Sequence, residues 1–567
     1  MFSLLVLGGS SALAASFPLS DVTPGLTGYG VTAGPGNVLE QFDVEVLGIQ
    51  QDVGLGFPLV LVRTGGELIE VSGGVAAGMS GSPVYIEREG EAALLGAVGY
   101  VFPESDHQLA LVTPIAAMRG EEISGYTPSG AAHFAAAGQA VAVRTPLLLA
   151  GLSERAGEPL NDLFAPSPVT PLPVQLGGVG GFNEAGYELQ PGSAVSVQLV
   201  RGDITVAAVG TVTVLEGGDV LAFGHPLVGE GEVSFALAPA FVSYIVPSDV
   251  VPFKLANNGE TLLGTITQDR PAALAGRLEQ PPDFLPVTLT LVGAGETVTK
   301  NFEVTADERY YAPLLASAVT QLFDEARGAV GAGTAELAWE ITLADGEKVR
   351  VLEQVSDPDD IVGVAADLAA SPLSILAENI FAAPEIASVD INLTFDDEQR
   401  YAEVVEVVAE SEELDPGKPL VARVRLQPYR GSPEVKTLTV SLPEETDGNL
   451  DITIRGGLEP APDTGDEEDD EPILSFAELL VVLHDQVQAR ELVVETYVEG
   501  ERVRLERLKL PYLVSGEETL TVTVGGEVET PEDEDVKDDV EPETVPEPDE
   551  DLPDPTDPAP PLEPGSP

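Results

Sequence analysis

The chain has no cysteine, which excludes a disulfide framework, a thiolate metal site and a cysteine nucleophile. Its stability must come from burial. Basic residues are scarce: Lys and Arg total 27 against 95 Asp and Glu, giving a formal net charge of -68. The cations are scattered and form no patch, so no nucleic-acid partner is expected. The acid excess favours solubility and repulsion from anionic lipid surfaces. After the N-terminus no run reaches roughly 18 uninterrupted apolar residues, so no integral membrane span is expected. The acidic clusters at 357–360 and 466–471 lack the spacing of a calcium loop. No glycine-rich phosphate loop follows a strand and opens a helix. Neither a metal nor a cofactor is expected.

The chain is rich in short-strand material. Hydrophobic residues make up 43% of 567, with 59 Gly and 47 Pro. That mixture suits a mainly β chain with many turns, and the length suits three or four domains. Residues 1–15 read as a secretory signal peptide: an apolar run from Leu4 to Leu7, then small residues with Ala12 and Ala14 at cleavage spacing. A basic n-region is missing. The expected location is the cell envelope or outside the cell.

The organisation expected along the chain is as follows. Residues 20–126 form a small β-barrel, with Phe42–Gly48 alternating as a half-buried strand. Residues 127–189 connect, with helical stretches at 131–142 and 152–164. Residues 190–305 are a second all-β block. Residues 306–385 are α+β: a helix over 310–327, a weaker one over 361–381, and a hairpin over 336–354 turning at Asp345-Gly346. Strand spacing over 386–458 points to an immunoglobulin-like sandwich. Then come an acidic linker (459–472), a small α/β segment (473–526) and a Pro/Glu/Asp tail (527–567). The tail cannot bury enough surface to order itself.

One stretch carries chemistry: Gly78-Met79-Ser80-Gly81-Ser82-Pro83. Glycine reaches backbone angles closed to other residues and lets a substrate approach closely. A Gly-x-Ser-Gly turn can expose a hydroxyl and aim successive N–H groups into one concavity, which suits an oxyanion. Pro83 stiffens the exit. A glycine-rich hairpin with an incidental serine is the plain alternative.

The hexamer resembles the nucleophile loop of trypsin-like serine peptidases, Gly-Asp-Ser-Gly-Gly-Pro. It is identical in pattern to the Gly-Met-Ser-Gly-Ser-Pro of the SpoIVB-type sporulation peptidase family. The neighbouring segments Leu94–Val98 and Leu109–Ile115 resemble that fold's later barrel strands. The resemblance implies a trypsin-like double β-barrel over residues 25–300. It also implies Ser80 as nucleophile, the amides of Gly78, Met79 and Ser80 as oxyanion hole, and a specific protein or peptide substrate.

A serine needs a base, and only 4 histidines exist. His225, in Phe223-Gly224-His225-Pro226, ends an expected strand where a scaffold displays functional groups. It also resembles the family's Gly-His segment. His107, His133 and His484 read as surface residues. In the family's founding type the histidine segment precedes the serine segment, the reverse of the order here, and a PDZ-like segment precedes both. Spatial position rather than chain order defines such a pair. Asp219, six residues before His225, is the candidate orienting acid; Asp269, Glu67 and Glu70 are alternatives, and a Ser–His dyad is another. The expected activity is that of an exported serine endopeptidase. The rival is an envelope binding or scaffold protein on a peptidase fold that no longer cuts.

Overall fold

The computed structural model describes residues 15–51, 54–88, 90–102, 107–123, 140–164, 172–174, 184–293, 295–443, 448–460, 473–498 and 501–525. The leader, connector residues 127–139, 165–171 and 175–183 with His133 and most of the helix expected over 131–142, most of the acidic linker and the acidic tail lie outside these residues.

The first seven strands are β1 (Thr27–Ala33), β2 (Leu39–Gln50), β3 (Leu59–Gly65), β4 (Pro83–Arg88), β5 (Glu91–Val101), β6 (Leu109–Pro114) and β7 (Val141–Ala142). Six of them close a barrel in the order β4-β1-β2-β3-β6-β5, through the β4–β5 pair, and β7 adds to the free edge of β5. The cause is binary patterning. In β2, Phe42, Val44 and Val46 are buried while Gln41, Asp43 and Glu45 face water. Helix α1 (Glu67–Ser72) precedes the Ser80 loop, and α2 (Ile115–Arg119) follows β6.

Next come β8 (Pro146–Ala150), helix α3 (Glu158–Phe164), β9 (Leu172–Val174), β10 (Ala194–Gly202), β11 (Thr205–Glu216), β12 (Asp219–Ala222), β13 (Gly231–Val246), β14 (Phe253–Asn258), β15 (Gly264–Arg270) and β16 (Ala273–Leu278). Strands β10-β13-β15-β16-β12-β11 close a second six-stranded barrel through the β10–β11 pair. The two barrels share a core: Leu148, Val209 and Val242 of the second pack with Val62, Met79 and Val98 of the first.

The second barrel's sheet continues through β17 (Phe284–Gly293), β18 (Glu296–Thr305), β19 (Gly333–Leu343), β20 (Lys348–Asp357) and β21 (Ile386–Asp396). Helix α4 (Tyr311–Arg327) buries Leu315, Val319, Leu322 and Phe323 in this layer and stops at left-handed Gly328. The expected hairpin forms as β19–β20. The weaker helix expected over 361–381 is two short ones, α5 (Ile361–Leu368) and α6 (Ser371–Glu378), with Pro372 in the first turn of α6. This stretch is the one described segment with membrane-span length and apolarity, and half of it is buried inside the fold.

The C-terminal strands are β22 (Tyr401–Ala409), β23 (Glu413–Leu414), β24 (Leu420–Pro428), β25 (Glu434–Val440), β26 (Gly448–Gly456), β27 (Glu491–Val498), β28 (Glu501–Lys509), β29 (Leu513–Ser515) and β30 (Glu517–Val524). They form a four-stranded and a five-stranded sheet around one core that includes Val404, Val424, Ile452 and Val494. Here the expected boundaries are corrected. Residues 386–396 leave this unit, because β21 pairs parallel with β17 and antiparallel with β19. Residues 491–524 join it, because β27 and β30 flank β26. Arg455 and Glu495, both buried, tie β26 to β27 through two hydrogen bonds of 3.1 and 3.0 Å. The expected helix near 474–489 is α7 (Phe476–His484), whose Leu480 and Leu483 pack into the larger core.

Candidate active site

The Ser80 loop is a seam between the barrels. Its entry is fastened to the second barrel: Ala77 N–H donates to the Pro252 carbonyl at 2.7 Å, and Lys254 N–H donates to the Ala77 carbonyl at 2.9 Å. Its exit is fastened to the first, where Gly81 N–H donates to the Val98 carbonyl at 2.8 Å. Between them the second barrel grips the loop from β11. Thr211 N–H donates to the Ser80 carbonyl at 2.8 Å, Thr211 Oγ1 to the Gly78 carbonyl at 2.9 Å and Thr213 Oγ1 to the Gly81 carbonyl at 2.7 Å. Gly81 has a φ of +90°, and a Cβ there would lie 2.9 Å from Phe223 Cα, with Thr211 O and Phe223 N closer still. Only glycine meets both demands.

The His225 segment leaves β12 through two left-handed residues, Phe223 (φ 67°) and Gly224 (φ 71°). A bulky non-glycine residue in that region costs of order 1–3 kcal/mol and persists only where its surroundings over-determine it. Here they do. Phe223 is fully buried, and Thr113 Oγ1 donates to the Gly224 carbonyl at 2.6 Å. Gly99 of β5 lets the turn approach: a Cβ there would sit 3.2 Å from the Gly224 carbonyl carbon. The His225 ring is edge-on to Tyr100 and Phe223, with centroids 6.3 and 5.9 Å away.

The fold therefore draws both candidate segments into one seam, the Ser80–Gly81 backbone against Thr211 and Phe223. Both side chains are fully buried, and among the described residues neither Ser80 Oγ nor His225 Nε2 has a partner at hydrogen-bond geometry, the Val143 carbonyl being the electrostatic neighbour of the ring. They do not bond each other in this state. His225 Nδ1 is 2.7 Å from the Pro226 carbonyl. A carbonyl only accepts, so Nδ1 carries the proton and Nε2 presents a lone pair. Burial pulls the imidazole down to about 4, against the carbonyls of Pro226 and Val143, which favour its protonated form.

Asp219 is not the orienting acid. It lies at the solvent-facing start of β12, more than half exposed, with Arg277 at 3.4 Å. The Pro226 carbonyl occupies the position an acid would take at Nδ1. Glu67 and Glu70 are exposed on α1. Asp269 acts one step removed: its carboxylate accepts from the N–H groups of Leu227, Val228 and Gly229 at 2.8, 2.7 and 2.8 Å. It thereby holds the loop that follows His225-Pro226. Arg270 instead donates to the Met118 carbonyl. Asp269→Asn swaps one carboxylate oxygen for an NH₂ donor that faces the loop amides, and is expected to cost about 2 kcal/mol of stability, within the 1.5–3 kcal/mol of one hydrogen bond to a charged group. An unchanged urea midpoint rules that role out.

The expected oxyanion nest is corrected as well. Gly78 N–H donates to the Arg144 carbonyl at 3.2 Å and Met79 N–H to the Ala76 carbonyl at 2.9 Å. Of the three amides, only that of Ser80 makes no hydrogen bond among the described residues. Grooves of about 640, 400 and 690 Å³ open elsewhere, and none of these three is lined by Ser80 or His225. His107 and His484 bond backbone carbonyls of Asp249 and Leu480 and stay outside the site. Among the described residues no group of three or more His, Asp or Glu is placed to hold a metal ion.

Sequence reasoning missed Lys254. It is fully buried on β14, its stem against Gly78, with Nζ donating to Thr32 Oγ1 at 2.7 Å and Thr211 Oγ1 at 3.3 Å. Burial pulls its amine down to about 7. The signal was its phase: Lys254, Ala256 and Asn258 share the buried face of β14. From about pH 7 up to the free-lysine value the unfolded chain binds a proton that the folded chain lacks, so stability rises with pH. Lys254→Met is expected to remove that slope. Between pH 7 and 9 the wild type should gain about 2 kcal/mol from this group, at 1.36 kcal/mol per unit. Equal slopes in urea titrations of the two proteins contradict it.

Comparison with known proteins returned no family model, no curated protein and no solved structure that matches this chain. The peptidase resemblance rests on the two segments themselves.

Proposed function

We propose that the protein is a serine hydrolase of the trypsin-like double-barrel type, acting on peptide bonds through Ser80 and His225. The observation that carries this reading is that one seam holds both segments, with Ser80 Oγ and His225 Nε2 among the buried polar atoms left unpartnered there. Two segments about 145 residues apart are held in one seam, each ending in a reactive side chain with an unsatisfied polar atom. Buried polar groups are normally paired, and leaving one bare costs about 1–3 kcal/mol. In the reaction, Ser80 Oγ attacks the scissile carbonyl while His225 Nε2 takes its proton, then returns it to the leaving amine. The Nδ1–carbonyl bond keeps Nε2 in the accepting tautomer. The Ser80 amide, joined by that of Gly78 once it is freed, receives the oxyanion. The leader-like residues 1–15 support an exported location, and the C-terminal two-sheet unit, read as an immunoglobulin-like module, serves as docking surface or spacer.

The test is labelling with a fluorophosphonate. Wild-type protein should react at one site and Ser80→Ala at none; equal labelling of both removes the assignment.

A second reading, a binding or scaffold protein that does not cut, is favoured by the complete burial of Ser80 and the engaged Gly78 and Met79 amides. Absence of labelling in every variant described here, with the fold intact, decides for it.

A further inference from the structure

Residues 141–146 run from the edge of β5 past the His225 ring to the Ser80 loop. β7 pairs antiparallel with the free edge of β5, Ala142 opposite Tyr100 and Val141 opposite Val101. Val143 N–H donates to the Gly99 carbonyl at 2.9 Å, and its own carbonyl faces the His225 ring. The next carbonyl, that of Arg144, takes the Gly78 N–H. Thr145 is buried with Oγ1 unpartnered, and Pro146 Cγ lies 3.3 Å from the Cβ position of Gly78. Strand addition along a barrel edge, followed by a carbonyl on an oxyanion amide, is how an extended peptide is held for acyl transfer.

We propose that the cleft between the barrels binds an extended polypeptide strand, and that residues 141–146 fill it as an internal pseudo-substrate. The segment also defines the substrate class. The residue that gives its carbonyl to Gly78, here Arg144, is only half-buried, so its side chain is loosely specified. The residue before it, Val143, is 2% exposed. Substrates should carry a branched apolar residue at that place, in a strand that pairs with β5. Residues 141–146 must leave the cleft before Ser80 reacts, slowly by their own opening in the wild type and faster when a partner displaces them. A segment that merely links two barrels has no need to spend its carbonyl on the Ser80 loop.

The labelling arm of the test rests on the Ser80 hydrolase reading, whereas the binding arm does not. Val143→Gly removes the buried anchor, with Val143→Ala as the milder variant should the first not fold. Each is checked by circular dichroism. Ser80 labelling in the variant should be at least tenfold faster than in wild type. A fluorescent peptide of residues 140–147 should bind the variant at least tenfold more tightly than wild type, read by anisotropy. Wild-type labelling that the variant does not accelerate, with no preferential peptide binding, overturns the pseudo-substrate and leaves the hydrolase reading standing. Preferential peptide binding with no labelling in either protein keeps the pseudo-substrate and removes the hydrolase. Neither effect removes both.

Discussion

Alanine at position 225 should abolish fluorophosphonate labelling of Ser80 and lower peptide hydrolysis by about 10²–10⁴-fold, the usual contribution of a positioned general base. The physical reason is the state of the ring. Burial favours the neutral imidazole, the Pro226 carbonyl fixes its proton on Nδ1, and Nε2 makes no hydrogen bond among the described residues. The neutral form is a weak base while the site is closed, because an imidazole held at about 4 binds a proton poorly. Opening the cleft to water or substrate brings it back toward its ordinary value near 6.5. Hydrolysis should therefore fall as pH drops through the value of the opened site, and Asp219→Asn should leave that profile unmoved. A His225→Ala protein that labels at the wild-type rate transfers the proton-acceptor role elsewhere. Lys254, whose amine is held at about 7 behind Gly78, is then the next group to replace.

Gly81→Ala should be the most damaging single methyl in the barrel pair. The site combines a left-handed φ of +90° with a backbone wall: Phe223 Cα would be 2.9 Å from the new Cβ, and Thr211 O and Phe223 N closer. No flexible side chain can move aside. Strain in that region costs roughly 1–2 kcal/mol by itself, and separating two packed backbones adds overpacking of about 1–3 kcal/mol. The expected loss is about 4 kcal/mol, read as the urea midpoint of barrel unfolding. Gly217→Ala is the control, because its φ is +60° but nothing lies within 4 Å of the Cβ position. It should lose only the conformational part. Similar midpoints for the two variants would mean that the seam yields.

What could be read along the chain was whatever depends on near neighbours. The alternation of Phe42, Val44 and Val46, the Asp345-Gly346 hairpin, the apolar face of Leu315 to Phe323 and the Gly-x-Ser-Gly turn are all local patterns. Asp219 is close to His225 along the chain, but the β11–β12 hairpin turns it to solvent. The turn alone offers the Gly78 and Met79 amides as free donors. Arg144, far along the chain, takes one of them. The spacing of β21 groups it with the strands after it, because its own pattern cannot record that β17 and β19 flank it.

Periodicity, turn chemistry and composition were enough to establish a mainly β chain, two strand-rich blocks and one serine and one histidine worth watching. That Ser80 and His225 share a seam, that Lys254 is buried behind it and that residues 141–146 lie across it came only with the folded chain. Those facts depend on barrel closure, which joins residues more than a hundred positions apart through hydrogen bonds that any sequence with the same backbone can make.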